Sequence, residues 1–230
     1  PQETPIAKPV DPGGLPARGF DRLRERDRAL LQPVSGELAG EGSVLSRMAV
    51  GSVGSGHDEV LLHEAEDVLL VHVERGHRRI AGLDEAGRGS LFGPVFAAAV
   101  ILNPKRRIVG LDDSKKLSPE RRESLAARIR EHALAWCVAQ ADARRIDAWN
   151  IYQASRQAMT EAVEQLSIQP DFLLVDAMHL DLLIEQESLI KGDARSVSIA
   201  AASILAKVER DALMRECDLA YPQYGLAANK

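Results

Sequence analysis

Eight consecutive apolar residues, Val95 to Leu102, constrain the fold of this chain more than any other feature. The run has the length of a strand, and it is rich in small and β-branched side chains. A strand of that composition is buried on both faces, so the sheet containing it must be covered on both sides. The surrounding segments supply the rest of such a fold. Ile80-Ala81-Gly82-Leu83-Asp84 reads as a short strand that ends in a glycine-rich turn, Leu134–Ala141 as a strand, and Phe172–Val175 as a buried strand after the break at Pro170. Helical spacing occurs over 58–75, where Val60, Leu61, Ala65, Val68, Leu69 and His72 recur at three- and four-residue steps. Ser118-Pro119-Glu120 starts a second helix, with an N-cap followed by proline at the first helical position, and this helix should run to about His132. Further helices are expected over Ile146–Leu166 and from Ser196 to about Leu219. Strands alternating with helices imply an α/β domain with a mixed β-sheet flanked by helices. There is no internal repeat.

The first quarter of the chain differs. Residues 1–56 hold 9 of the 17 glycines and 6 of the 11 prolines. Ordering such a segment costs much entropy and buries few apolar groups. Residues 1–57 therefore read as a disordered Gly/Pro-rich extension, with one short helical stretch around Phe20–Leu31, and residues 58–76 as a leading helix. Gly51, Gly54 and Gly56 follow no strand and carry no phosphate-site signal.

Aromatic residues are 4%, which argues against broad base stacking on single strands. The formal net charge is -5, which excludes a general polycation that coats nucleic acid. A nucleic-acid enzyme with its basic residues gathered on one face remains compatible with these values. Cys137 and Cys217 lie 80 residues apart and match no zinc spacing, as expected of reduced cysteines in a cytoplasmic protein. No run of 18 apolar residues occurs, so no membrane partner is expected.

Four acidic residues stand at element ends. Asp84 and Glu85 lie where the first strand gives way to the turn, Asp176 ends the strand Phe172–Val175, and Asp193 lies just before the Ala-rich helix. In open α/β sheets ligands bind beyond the strand ends, where carboxylates from separate segments can converge. Clustered carboxylates repel one another, and hard divalent cations such as Mg²⁺ or Mn²⁺ remove that cost. Adjacent strand residues point to opposite faces, so Glu85 joins Asp84 only if the backbone turns directly after Asp84. In the turn Gly87-Arg88-Gly89, consecutive backbone N–H groups can meet an anion or a hydroxyl, and Arg88 can add a phosphate contact. From spacing alone, an acidic residue at a strand end is usually a solvated turn residue, and the glycine turn can be a plain tight turn.

Longer blocks decide between these readings. Ile80-Ala81-Gly82-Leu83-Asp84-Glu85-Ala86-Gly87-Arg88-Gly89, followed by Gly93-Pro94-Val95, resembles the signature of bacterial ribonuclease HII. Asp113-Ser114-Lys115-Lys116-Leu117, Leu174-Val175-Asp176-Ala177, Lys191-Gly192-Asp193-Ala194 with Ala201–Val208, and Pro222-Gln223-Tyr224-Gly225 match further family blocks in order. The resemblance covers about residues 77–230. It implies a ribonuclease H-like fold and a monomeric, metal-dependent endonuclease that cleaves RNA in RNA–DNA hybrids and 5′ of ribonucleotides embedded in duplex DNA, leaving 3′-hydroxyl and 5′-phosphate ends. It implies Asp84, Glu85, Asp176 and Asp193 as catalytic ligands of two ions, Mg²⁺ or Mn²⁺. It places Gly87, Arg88 and Gly89 at the ribose 2′-hydroxyl, and Ser114, Lys115, Lys116, Lys191, Arg195, Ser203 and Lys207 along the substrate. His179 is a weaker candidate for a general base, because metal-bound water is expected to act instead.

Family members continue past the position of Lys230 with Gly-Tyr and a helical segment. The resemblance therefore implies a C-terminally truncated catalytic domain over 77–230 that lacks the tyrosine expected to stack at the RNA–DNA junction. The alternative is an inactive hybrid-binding fragment of the same family. A DNA resolvase on the same fold is disfavoured, since it has no use for a turn that senses a 2′-hydroxyl.

Overall fold

The computed structural model describes residue 68 and residues 71–228. The extension over 1–57, the stretch Phe20–Leu31, the glycines at 51, 54 and 56, and most of the leading helix over 58–76 lie outside the described residues. Val68 and residues 71–74 are helical.

Five strands form one sheet: β1 (Ile80–Ala86), β2 (Val95–Ile101), β3 (Ala135–Ala141), β4 (Phe172–Asp176) and β5 (Gln186–Leu189). Their spatial order is β3-β2-β1-β4-β5. β1 pairs antiparallel with β2, and β2 with β3. β1 pairs parallel with β4, and β4 with β5. The sheet is therefore mixed, with β1 at its centre.

The helices are α1 (Pro119–His132), α2 (Ala143–Trp149), α3 (Ile151–Glu164) and α4 (Val197–Ala220). Every residue of β2 is buried, as its composition requires. Ala97, Ala99 and Ile101 share a core with Ala154, Ala158 and Met159 of α3. Phe96, Ala98 and Val100 share the opposite core with Leu125 and Ile129 of α1 and with Ala201, Ile204 and Leu205 of α4. Alternate residues of one strand thus serve two layers, which is why the run carries no polar position.

Gly82 allows α4 to lie against β1. A Cβ at Gly82 would run into the backbone of Ser198 and Ile199, in the first turn of α4. Ser118 caps α1 and accepts from the Arg121 N–H, with Pro119 next to it, as the sequence predicts. Ser196 caps α4 and accepts from the Ile199 N–H.

Three expectations are corrected. The helix expected over Ile146–Leu166 is two helices that meet at Asn150, whose φ of 69° and ψ of 162° end α2 and whose side chain caps α3. The first strand does not stop at Asp84. It pairs with β2 as far as Ala86↔Phe96. β5 is an additional strand; its residues are mostly exposed and polar at the sheet edge, so they carry no apolar signature. Among the described residues, no helix is long and apolar enough to cross a membrane.

Candidate active site

Asp84 lies on the face of β1 that Gly82 turns toward α4, and it is only 6% exposed. Burial holds its carboxyl well above the usual carboxylate range, and the charges of Glu85 and Asp176 push it further. The Ser203 hydroxyl on α4 and the Glu85 N–H, at 2.7 Å from Oδ1, partly offset this. The Ser203 and Ser114 hydroxyl oxygens lie 2.9 Å apart, and both serines are buried. A polar chain therefore runs from the loop before α1, through α4, to Asp84.

Because β1 continues to Ala86, the backbone does not turn after Asp84, and Glu85 leaves on the other side of the strand. Its carboxyl nevertheless feels Asp176, Lys115 and Arg88. Burial raises its pKa and Arg88 opposes the shift, with Nη1 at 3.5 Å from Oε1. Glu85 Oε2 is buried without a hydrogen-bond partner. An orphaned carboxylate oxygen is costly, and a bound cation would remove that cost.

The parallel register Leu83↔Val175 sets Asp176, one residue on, level with Asp84 at the same end of the sheet. Ala177 follows at φ 45°, which ends the strand. The Gly192 N–H donates to Asp176 Oδ1 at 2.6 Å. That approach requires glycine, since a Cβ there would lie 3.2 Å from the same oxygen and 2.6 Å from Ile199 Cδ1. Asp193 follows in the 3₁₀ turn Gly192–Ala194, which Lys191 enters in the left-handed region at φ 56°. Asp193 is raised by partial burial, then by Asp113 and Asp176, while Lys115 opposes the shift.

One acid joins the cluster that sequence reasoning did not single out. Asp113 stands in a matched block; it acts on Asp193, and its Oδ1 accepts from the Lys115 N–H at 2.8 Å. Lys115 belongs to the same field, since its charge reaches both Glu85 and Asp193. Lys116 is exposed and pairs with Asp112 at 3.1 Å. Lys207 is held by Asp211 at 2.6 Å and is 15% exposed. Lys191 and Arg195 are exposed on either side of the Gly192–Ala194 turn, and His179 is exposed beyond Asp176.

The turn after β1 has Gly87 at φ 103° and Gly89 exposed, and Ser90 N–H closes it onto Gly87 O at 3.1 Å. The Arg88 guanidinium lies 5.5 Å from the centre of the Tyr152 ring at the start of α3. Two buried arginines were also not legible. Arg122 donates to the Ser114 carbonyl at 2.9 Å and to that of Leu117, pinning the lysine loop. Arg210 lies beneath the glycine turn. Each reads in sequence as one more charge on a helix.

The donor set is four carboxylates from three segments, all hard oxygen, with raised pKa values at Asp84, Glu85 and Asp193 and one orphaned oxygen. That chemistry fits a hard divalent cation. Among the described residues, no three Asp, Glu, His or Cys groups form a ready-made cage. The carboxylates share one electrostatic field without sharing a closed coordination shell.

Comparison with known proteins gives a consistent picture. The family model described as Ribonuclease HII matches residues 81–230. The chain is 62% identical over 156 residues to a Ribonuclease HII of Solibacter usitatus, covering 68% of each chain. It is 60% identical over 157 residues to that of Koribacter versatilis, covering 68% of this chain and 62% of the relative. The chain thus spans about two thirds or less of the length of these relatives. The crystal structure of the ribonuclease H2 from Pyrococcus horikoshii matches with a TM-score of 0.57 at 27% identity, over 63% of this chain and 77% of that one.

Proposed function

This chain belongs to the ribonuclease HII family, and from that premise we propose that it is an endoribonuclease acting on RNA–DNA hybrids and 5′ of ribonucleotides embedded in duplex DNA. The observation that carries the reading is the shared field of Asp84, Glu85, Asp176 and Asp193 beside the Gly87-Arg88-Gly89 turn. A fold alone would not license an activity, and the site residues are what support this one. The reaction is hydrolysis of a phosphodiester to 3′-hydroxyl and 5′-phosphate ends, in a cytoplasmic, monomeric enzyme suited to removing ribonucleotides from DNA.

Two divalent ions, Mg²⁺ or Mn²⁺, would supply an activated water and charge neutralisation at the leaving oxygen when bound. Asp84 and Asp176, level on adjacent strands, would hold them, with Glu85 and Asp193 from either side. The buried Ser114–Ser203 pair orients Asp84, and the Gly192 N–H orients Asp176. Both would leave the remaining carboxylate lone pairs available to a cation. The open backbone at Gly87–Gly89 meets the ribose 2′-hydroxyl, the group that distinguishes RNA from DNA at one nucleotide. Lys115, Lys191 and Arg195 contact phosphates, which position a duplex without reading its sequence. Lys116 and Lys207 reach substrate only by loosening their pairs with Asp112 and Asp211.

The test is cleavage of a labelled DNA duplex with one ribonucleotide, in Mg²⁺, in Mn²⁺ and in EDTA. A metal-dependent cut on the 5′ side is expected. No cut by folded protein that still binds the duplex would leave a hybrid-binding module instead.

A further inference from the structure

The glycine turn rests on a buried arginine that the proposed chemistry leaves unused. Arg210 lies on α4 and is 1% exposed. Its Nη2 donates to the Phe92 carbonyl at 3.1 Å. A Cβ at Gly87 would lie 2.5 Å from Arg210 Nε and 2.8 Å from Cδ. One helical turn further along α4, Met214 does the same under Gly93, where a Cβ would lie 2.9 Å from Sδ. Gly87 and Gly93, at φ 103° and 86°, are the two ends of the loop between β1 and β2. This loop is therefore seated on two residues of one helix.

A buried guanidinium is an expensive filler. Burial lowers the pKa of Arg210, and Asp211 opposes that shift. An aliphatic residue would fill the space at lower cost but would offer no donor to the loop carbonyl. We infer that Arg210 is a positioning residue for ribose recognition. It fixes the level of the Gly87–Gly89 backbone through Phe92 and Gly87 without touching substrate. The inference rests on the reading of that turn as the element that meets the 2′-hydroxyl. Misplacing a recognition element by a fraction of an ångström is costly because its contacts are short and directional.

Arg210→Lys keeps the charge and most of the stem but loses the forked donor. Dissociation constants are measured by fluorescence anisotropy in Ca²⁺, for a duplex with one ribonucleotide and for the same sequence as DNA throughout. The expected result for R210K is a loss of roughly tenfold in affinity for the ribonucleotide duplex, with affinity for the DNA duplex within about twofold of the parent. A second measurement uses Arg210→Ala with added guanidinium, which should restore preference for the ribonucleotide duplex. An unchanged preference in R210K, an equal loss on both duplexes, failure of R210K to fold, or no rescue by guanidinium would overturn the assignment. If the parent itself shows no preference for the ribonucleotide, the reading of the turn fails rather than the role of Arg210.

Discussion

Gly82→Ala tests how tightly the sheet and α4 are locked together. The glycine is buried in β1, and its φ lies outside the left-handed region, so alanine meets no backbone strain there. Taken alone, the change would stabilise by about 0.4–1 kcal/mol by restricting the unfolded chain. Opposing that gain, the new methyl would fall well inside the 3.0 Å that Cβ atoms essentially never cross, against three atoms of the Ser198–Ile199 backbone. No side chain can swing away. Helix α4 must retreat by about 1 Å, opening its contact with β1 and β2, and overpacking of this kind costs about 3 kcal/mol or more where backbone faces backbone. The net loss should be about 2–3 kcal/mol, read as a fall of about 4–12 °C in Tm. Urea titration of purified protein at 25 °C gives the free energy directly. Gly89→Ala is the control: a Cβ there has nothing within 4 Å, and its stability should stay within about 0.5 kcal/mol of the parent. A G82A protein as stable as G89A would refute the argument that α4 is held at contact distance on β1.

Two further outcomes follow from the site. The raised carboxyl of Asp84 means that the folded state holds its proton more tightly than the unfolded state does. Its ionisation therefore subtracts stability above the folded-state pKa, and that loss is recovered as pH falls through this value toward the unfolded value. Metal-free protein should accordingly melt higher at mildly acidic pH than at neutral pH. Asp84→Asn should raise the neutral-pH Tm, flatten this dependence and abolish cleavage; a melting profile for D84N that tracks the parent would show that Asp84 carries no such strain. Arg122→Ala removes donors to the Ser114 and Leu117 carbonyls and the contact with Asp211 at 3.4 Å. It should cost about 2–4 kcal/mol in urea titration and loosen the loop at 112–117, seen as faster amide exchange there; a loss below about 0.5 kcal/mol would refute the pinning role.

The strand Val95–Ile101, the capped start of α1 and the strand ending at Asp176 were legible because each rests on a local rule. What was not legible depends on partners distant in sequence. β5 is mostly exposed at the sheet edge, so no burial pattern marks it. Asn150 is the local exception: it divides a segment of continuous helical spacing by adopting a positive φ without being glycine, and its side chain accepts from the Gln153 N–H. Asp84 and Asp176 could be placed at strand ends, but their level arrangement follows from the parallel register of β1 and β4. Lys207 could have been discounted as a free phosphate contact, because Asp211 follows it at the four-residue helical step.

These features share a cause in α4. Gly82, Ala98 and the alanines at 200–202 keep the helix close to the sheet. At that spacing Ser203 reaches Asp84, and Arg210, two helical turns on, reaches the loop at Gly87. One continuous helix therefore sets both the carboxylate at the end of β1 and the turn that follows it. A rise of 1.5 Å per residue places those two supports about 10 Å apart along the helix axis. Displacing α4 at its first turn should thus disturb metal binding and ribonucleotide preference together. A change at Gly192, which touches Asp176 and Ile199, should act on the carboxylates and leave the glycine turn in place.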